Sequence, residues 1–380
     1  MEDKKQTLDA IRGKIQDVDY EIAALFEKRM KYAMELGLAK KEAGAPIYDR
    51  NREDEKLAEI TRNRSNPFIR KGLEEVFIQL LSISRKYQYH LVHQRDRYIE
   101  NYFTEVPELV MFPDTRVVYP GVPGSFSEMA CEKFFGPETD HYCVVNFKDV
   151  ALALNNGDAD YGVLPIENSS AGDVTGVYDI LLDNDVCIVG EEFVKVDHCL
   201  LACPGTKITD IDTVYSHPQG LMQCAPYLEK LKVNQISVEN TAIAAESVAR
   251  NGRPNEAAIA SRRAAELYGL EILAESINFE SNNETRFVIL SKKRQYTSDA
   301  GKISICFSLL HESGTLYNIL SHFLYNDLNL SHIESVPLPD KQWEYRFYID
   351  ITGNLHDQAV RNALQGVRDE VDEFKILGNY

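Results

Sequence analysis

The sequence lacks several features that would each define a class of protein. No apolar run approaches the ~20 residues that a membrane-spanning helix needs, and Met1–Lys5 is charged and polar rather than the apolar stretch of a secretory signal. Cysteine is sparse, with 7 residues in 380 and no Cys-x-x-Cys pair, which argues against a disulfide framework and a cysteine-rich zinc site. We therefore expect a cytoplasmic protein that does not associate with membranes.

Positive charge is also in short supply, since the formal net charge is -18 at pH 7. So acidic a chain is a poor partner for nucleic acid. Roughly half of the Lys and Arg residues fall in the first hundred positions, which leaves that segment near neutral and the remainder acidic. Any site for a small anion must therefore gather its basic residues locally. No metal, nucleotide or flavin motif is present, so we expect neither a metal nor a cofactor.

The segment 1–95 is predicted to be an all-helical domain. Its first helix carries apolar residues at helical spacing and should end near Gly44, which is followed by Pro46. A helix of ~35 residues is over ~50 Å long, and a small monomer cannot bury that length. We therefore expect a homodimer or a higher even oligomer in which long helices pack against a partner chain.

After residue 95 the helical spacing of apolar residues gives way to other patterns. Residues 96–114 are predicted to be a linker, and residues 115–293 alternate short apolar strands with helical stretches, which indicates an α/β domain. Residues 300–380 predict strand, helix, two strands, helix and strand. This βαββαβ order is the ferredoxin-like α+β motif.

Two cations lie on the apolar face of the first helix. Arg29 and Lys40 are eleven residues apart, about three turns, so they fall within ~20° of each other. Arg12 lies ~100° off that line. Cations withdrawn from water are costly unless an anion compensates them. Each residue taken singly is more simply interpreted as a solvated surface charge.

The other two helices add further polar groups. Ser84 and Gln88 are one turn apart on the third helix, and the second helix opens with Asp49, Arg52 and Glu53. Together with the cations of the first helix, this set suits a compact dianion that carries a hydroxyl group. The alternative, in which all of these residues face solvent, stays open at this point.

Residues 8–92 resemble the all-helical, intertwined-dimer type of chorismate mutase. In that family the reaction is a pericyclic rearrangement, and catalysis consists of holding the reactive conformer and stabilising charge on the ether oxygen. The resemblance implies that Arg29 and the partner chain's Arg12 hold the substrate carboxylates. It further implies that Lys40 and Gln88 bond the ether oxygen and that Glu53 meets the substrate hydroxyl. The pocket would be completed by Asp49, Arg52 and Ser84.

Five polar loop segments mark the α/β region: 121–128, 164–172, 216–224, 240–245 and 283–287. Each alone is ordinary turn chemistry, but in this order they resemble prephenate dehydratase, a family with two α/β lobes around a cleft like those of periplasmic ligand-binding proteins. The resemblance implies that Thr285 is catalytic and assists loss of the ring hydroxyl, and that Arg286 binds a carboxylate. It places in the substrate pocket Asn168, Ser216, Gln223 and Phe287. We interpret His217, which precedes a proline, as structural.

The C-terminal βαββαβ segment resembles an ACT domain, a module that commonly binds phenylalanine. The matching positions are Gly314 and Leu316 at the first helix, and Glu334 and Ser335 on the second strand; Val336 stands where the family has a cation. Together the three resemblances imply a bifunctional enzyme of phenylalanine biosynthesis that acts on chorismate and prephenate and is inhibited by phenylalanine. Two alternatives stay open: a monofunctional prephenate or arogenate dehydratase with a helical dimerisation domain, and a non-catalytic amino-acid sensor.

Overall fold

A computed structural model describes residues 2–62, 66–92, 97–280, 282–309, 312, 314–338 and 344–380. The chain divides into two compact units, the first comprising Met1–Tyr102 with Gly301–Ile376 and the second comprising Phe103–Ala300 with Leu377–Tyr380. The helical N-terminal segment and the C-terminal βαββαβ segment therefore share one unit. Within the described ranges, no helix combines the length and the apolar character needed to cross a membrane.

The N-terminal segment is helical, as predicted. Its helices are α1 (Glu2–Ala43), α2 (Arg50–Thr61), α3 (Pro67–Val92) and α4 (Arg97–Tyr102). Helix α1 ends because Gly44 adopts a left-handed φ of 64° and Pro46 cannot continue the helix. Asp49 then caps α2 by accepting a hydrogen bond from the Arg52 amide at 3.2 Å. Both α1 and α2 pack against α3.

The central region is an α/β domain, as predicted. Its elements are β1 (Thr104–Val106), β2 (Arg116–Pro120), α5 (Phe126–Phe135), β3 (Asp140–Val144), α6 (Phe147–Asn156), β4 (Tyr161–Asn168), β5 (Gly172–Asp173), α7 (Val177–Asp183), β6 (Cys187–Lys195), β7 (Cys199–Ala202), β8 (Thr213–Ser216), α8 (Pro218–Gln223), α9 (Ala225–Leu231), β9 (Asn234–Ser237), α10 (Thr241–Asn251), β10 (Glu256–Ala260), α11 (Arg262–Tyr268), β11 (Glu271–Ala274), β12 (Glu284–Ser291) and β13 (Gln295–Thr297).

Two larger sheets organise this second unit. One has the strand order β11-β7-β10-β8-β9, and the other includes the run β6-β12-β4-β2-β3. Strands β7 and β10 are buried throughout, as expected for strands covered on both faces. The predicted linker also holds structure, since β1 pairs in parallel with β13.

The C-terminal segment has the predicted βαββαβ order. Its elements are β14 (Lys302–Leu309), α12 (Thr315–Leu324), β15 (Leu330–Pro337), β16 (Tyr345–Thr352), α13 (Gln358–Glu370) and β17 (Glu373–Asn379). Strand β16 lies between β15 and β14 and is antiparallel to both. Helix α13 packs on α12 and also on α3 of the N-terminal segment. The first unit is therefore held together partly by contacts between the two ends of the chain.

Glu370 is an ionised group within that packing. Burial alone would raise its pKa, but the contact with His322 and the charge of Arg85 lower the pKa of Glu370 to about 2. A depressed carboxyl pKa adds stability that is complete above the unfolded pKa, about 4.5, and is lost as pH falls toward the folded value. We expect this contribution to be ~3 kcal/mol at neutral pH. The unfolding free energies of the native chain and Glu370→Gln should therefore converge as pH falls from 5 to 3. A constant difference over that range would contradict the assignment.

Candidate active sites

The helical site begins with Arg29 on α1, which is half-buried. Its guanidinium donates a hydrogen bond to the Leu80 carbonyl at 2.9 Å and contacts the Ser84 hydroxyl. Lys40, three turns further along, donates to the Ile47 carbonyl at 2.6 Å. Burial is the main cause that lowers the pKa of both cations, and the charge of Glu53 partly offsets it. An anion bound between the two cations would offset the energetic cost of this desolvation.

The structure brings most of the predicted helical set together. Lys40 lies close enough to Glu53, Arg52 and Asp49 for their charges to shift its pKa. Arg12 is the exception, because its side chain is 75% exposed and pairs with Asp9 at 3.2 Å. Within one chain, Arg12 is therefore not part of this cluster.

Gln88 is the least satisfied member of the set. Its side chain is buried, and its Oε1 atom has no hydrogen-bond partner in the part of the chain that the structure describes. A buried amide oxygen without a partner costs about 1–3 kcal/mol. Such a group is suited to a ligand or to a partner chain that supplies the missing contact.

The second site is a cleft of about 1220 Å³ within the second unit. Three helices begin at its wall, namely α5, α6 and α10, and each is preceded by a capping residue that also lines the cleft: Ser125, Asn146 and Asn240. Lys148 is the one Lys or Arg among the residues that line it. Helix N-termini carry partial positive charge and free amide groups. These helix N-termini suit the binding of a small anion although the cleft has few cations.

Thr285 lies in this cleft opposite Asn168, because β12 pairs with β4 in that register. The Thr285 Oγ1 atom accepts a hydrogen bond from the Asn168 amide at 2.9 Å. The side-chain Oδ1 atom of Asn168 in turn accepts from the backbone amides of Ser170 and Ala171 at 3.1 and 3.0 Å. Because Asn168 is fixed as the donor, the hydroxyl proton of Thr285 is available to a ligand.

Two predicted cleft residues lie elsewhere. Ser216 is fully buried and its hydroxyl donates to the Ile259 carbonyl at 2.7 Å, so it is absent from the lining. Arg286 follows Thr285 on β12, and successive strand side chains point to opposite faces. Its guanidinium bonds Glu191 and Tyr380, both at 2.7 Å. The structure therefore does not bring Ser216 and Arg286 together with the residues that line the cleft.

The other predicted cleft residues, Gln223 and Phe287, do line it, together with two residues that the sequence analysis missed. His198 Nε2 donates to the Gln223 Oε1 atom at 2.9 Å, and burial lowers the pKa of His198. Gln219 also lines the cleft and lies inside the loop segment 216–224, which could have revealed it. His198 has no such sequence signal.

His217 reaches the cleft as well, but its ring has a structural task. Its Nδ1 atom accepts a hydrogen bond from the Gln219 amide at 3.2 Å and so caps α8. Burial lowers the pKa of His217, which favours the neutral ring that this acceptor role requires.

The four C-terminal positions lie on two elements. Gly314 precedes α12 with a left-handed φ of 87°, and Leu316 lies in its first turn. Glu334 and Ser335 lie on β15, where exposed and half-buried side chains alternate. Ile333 on the same strand and Tyr317 on α12 are exposed apolar side chains.

Comparison with known proteins identifies two families in the sequence. Residues 11–89 match the family described as Chorismate mutase type II, and residues 117–295 match the family described as Prephenate dehydratase. The first range holds the cluster around Lys40, and the second holds the cleft around Thr285.

Individual relatives agree with this division. The bifunctional chorismate mutase/prephenate dehydratase of Escherichia coli K12 is 31% identical over 378 residues, covering 98% of this chain and 95% of that protein. The chloroplastic arogenate dehydratase/prephenate dehydratase 6 of Arabidopsis thaliana is 40% identical over 285 residues, covering 70% and 68%. The crystal structure of the Arthrobacter aurescens prephenate dehydratase in complex with L-Phe has 28% identity and a TM-score of 0.65, covering 70% of this chain and 89% of that one.

Proposed function

The chain belongs to the family of bifunctional chorismate mutase/prephenate dehydratases, and on this premise we propose which of its residues perform each reaction. The enzyme rearranges chorismate to prephenate and converts prephenate to phenylpyruvate, as a step of phenylalanine biosynthesis. The observation that carries this function is the presence in one chain of two separate sites, each inside the matching family range. We assign residues 1–95 to the mutase, 115–293 to the dehydratase and 300–380 to regulation, in a cytoplasmic enzyme.

For the mutase, we assign the binding of the substrate carboxylates to Arg29 and to Arg12 of a second copy. Lys40 and Gln88 stabilise charge on the breaking ether bond, and Glu53 accepts the substrate hydroxyl. The desolvated state of Lys40 and the unpartnered oxygen of Gln88 support these assignments, since electrostatic stabilisation is strongest in a site shielded from water. Ser84 bonds Arg29, and Asp49 and Arg52 shape the entrance.

This assignment requires an intertwined dimer. Apolar residues between positions 8 and 25 of α1 are exposed within a single chain: Leu8, Ile11, Ile15, Val18, Ile22 and Leu25. Contiguous apolar surface of this kind is typical of a subunit interface. A second α1 helix lying along it would cover these residues and bring the otherwise solvated Arg12 toward the other copy's cluster.

For the dehydratase, Thr285 donates its hydroxyl proton as a hydrogen bond to the departing ring hydroxyl. Asn168 orients Thr285, and Gln223 and Phe287 line the ring pocket. Prephenate loses carbon dioxide and hydroxide while its ring becomes aromatic, so a weak acid that orients the leaving group is sufficient. The N-termini of α5, α6 and α10 support binding of the two carboxylates in the same cleft.

The test is to supply chorismate to the purified full chain without any added cofactor. Prephenate should appear first and phenylpyruvate afterwards. Formation of neither product would overturn the proposed function. Because one relative is named for arogenate as well, arogenate should be assayed in parallel, with phenylalanine as its product. A higher kcat/KM for arogenate would reassign the second substrate.

We assign the C-terminal segment as an ACT-type regulatory domain with phenylalanine as its effector. The related Arthrobacter aurescens prephenate dehydratase was crystallised with L-Phe, and the residues by which this segment resembles an ACT domain are Gly314, Leu316, Glu334 and Ser335. Millimolar phenylalanine should lower the dehydratase rate severalfold, because binding shifts the enzyme toward its less active state. A rate that is unchanged by millimolar phenylalanine would refute this assignment.

A further inference from the structure

Arg85 on α3 connects two carboxylates that belong to distant parts of the chain. Its guanidinium contacts the Glu53 carboxylate on α2 and donates from Nε to the Glu370 carboxylate on α13 at 2.7 Å. The Arg85 and Glu370 side chains are only 8% and 7% exposed. A guanidinium has donors on several edges and can hold two carboxylates at once. Arg85 thus links the first unit's helical site to its C-terminal segment.

The surroundings leave Arg85 little freedom. Its guanidinium lies 4.7 Å from the ring centre of Tyr48, and the Nε2 atom of His322 lies 3.1 Å from Oε1 of Glu370, the oxygen that Arg85 also contacts. Burial favours the neutral form of His322, so Arg85 is the main positive charge facing Glu370. Without Glu370, the buried guanidinium would keep one partner and could rotate away from its present position.

The position of the Glu53 side chain depends on its contact with Arg85, whereas Arg85 has a second carboxylate partner in Glu370. It lies on α2, none of whose residues is buried, and a glutamate has several rotatable bonds. Apart from Arg85, no side chain in the described ranges makes a hydrogen bond or an ion pair with Glu53. Arg85 uses one carboxylate oxygen, Oε2, so the other can face a ligand. A cavity of about 240 Å³ borders Glu53, Arg85 and Glu370, with walls from both parts of the unit.

We propose that Arg85 is a positioning residue for Glu53 in the mutase reaction, and that Glu370 in the C-terminal segment holds Arg85 in place for that task. This inference rests on the role proposed above for Glu53. It makes the mutase reaction dependent on the C-terminal segment, which holds none of the residues that we assign to the mutase substrate. The dehydratase cleft includes none of the three residues, so its rate serves as an internal control.

The test is a double-mutant cycle of Glu53→Gln and Glu370→Gln in the full chain. Glu370→Gln should lower the mutase kcat/KM on the order of 10-fold to 100-fold, as expected when a binding group is displaced, and should leave the dehydratase rate unchanged. In the Glu53→Gln background, the same change should have almost no further effect, because the two residues act through one contact. Equal losses in both backgrounds, or no loss in either, would overturn the inference.

Two further variants separate positioning from general damage. Tyr89→Phe removes a contact between the same helices, the 2.7 Å hydrogen bond that Tyr89 donates to Asp369, without changing a side chain that bonds Arg85, and should leave the mutase rate unchanged. Arg85→Lys keeps the charge but lacks the separate guanidinium nitrogens, Nε and Nη1, that meet Glu370 and Glu53, so it should reproduce the loss if Glu370→Gln fails to fold. A fully active Arg85→Lys variant would refute the inference. Absence of mutase activity in the native chain would instead refute the proposed function itself.

Discussion

Replacing Thr285 by alanine should reduce the dehydratase rate about 10²-fold to 10⁴-fold, the range for loss of a group that assists proton transfer. Thr285→Ser should retain most of the activity. Serine keeps the hydroxyl group, whose oxygen accepts a hydrogen bond from the Asn168 side-chain amide at 2.9 Å in the native chain. The measurement is phenylpyruvate formation from prephenate at saturating substrate. The mutase rate of the same preparations should not change, since residue 285 lies outside the mutase family range 11–89.

The matched control for this prediction is Thr285→Val, which has nearly the volume of threonine but no hydroxyl. It should be as inactive as the alanine variant, although it leaves no cavity. An active Thr285→Ala or Thr285→Val enzyme would show that the hydroxyl is dispensable. Asn168→Ala should give an intermediate loss, because the Thr285 hydroxyl remains but can rotate away from the substrate.

Replacing Lys40 by methionine should reduce the mutase rate about 10²-fold to 10³-fold, the usual effect of removing one group that stabilises developing charge. The reason is its position: Lys40 is a partly desolvated cation beside Glu53 and Arg52, so its charge acts on a bound substrate more strongly than a fully solvated charge would. The measurement is the disappearance of chorismate. The dehydratase rate with supplied prephenate should be unaffected.

Lys41 offers the matched control. It is the next residue in the last turn of α1 and is exposed, so Lys41→Met makes the same chemical change on the solvent side. That variant should keep the native mutase rate. Equal losses in the two variants would point to a general effect of helix-end charge, and an active Lys40→Met enzyme would remove Lys40 from the mechanism.

Local sequence patterns predicted the order of the elements and several residues that the structure brings together at the two candidate sites. The end of α1 follows from Gly44 and Pro46, and the βαββαβ order follows from the spacing of apolar runs. The family motifs located Asn168 and Thr285, which the structure places 2.9 Å apart although 117 positions separate them. Such predictions succeed because helix ends, strand alternation and loop chemistry depend on a few neighbouring residues.

Other features needed the tertiary structure. The motif that located Thr285 also suggested Arg286, but only the pairing of β12 decides which of the two faces the cleft. His198 has no distinctive neighbours and becomes visible only through its contact with Gln223. The prediction of separate domains likewise contained no indication that the two ends of the chain form one compact unit.

The sequence by itself determined the order of helices and strands, because each element depends on a few neighbouring residues. Its motifs also indicated the family and the residue types available for chemistry. The tertiary structure decided which groups meet. Arg85 and Glu370 are 285 positions apart, and neither carries a signal for the other, since a charged residue looks the same in sequence whether it is solvated or paired. Packing of α13 on α3 creates that contact. The pair is stable there because each buried charge compensates the other for the loss of water.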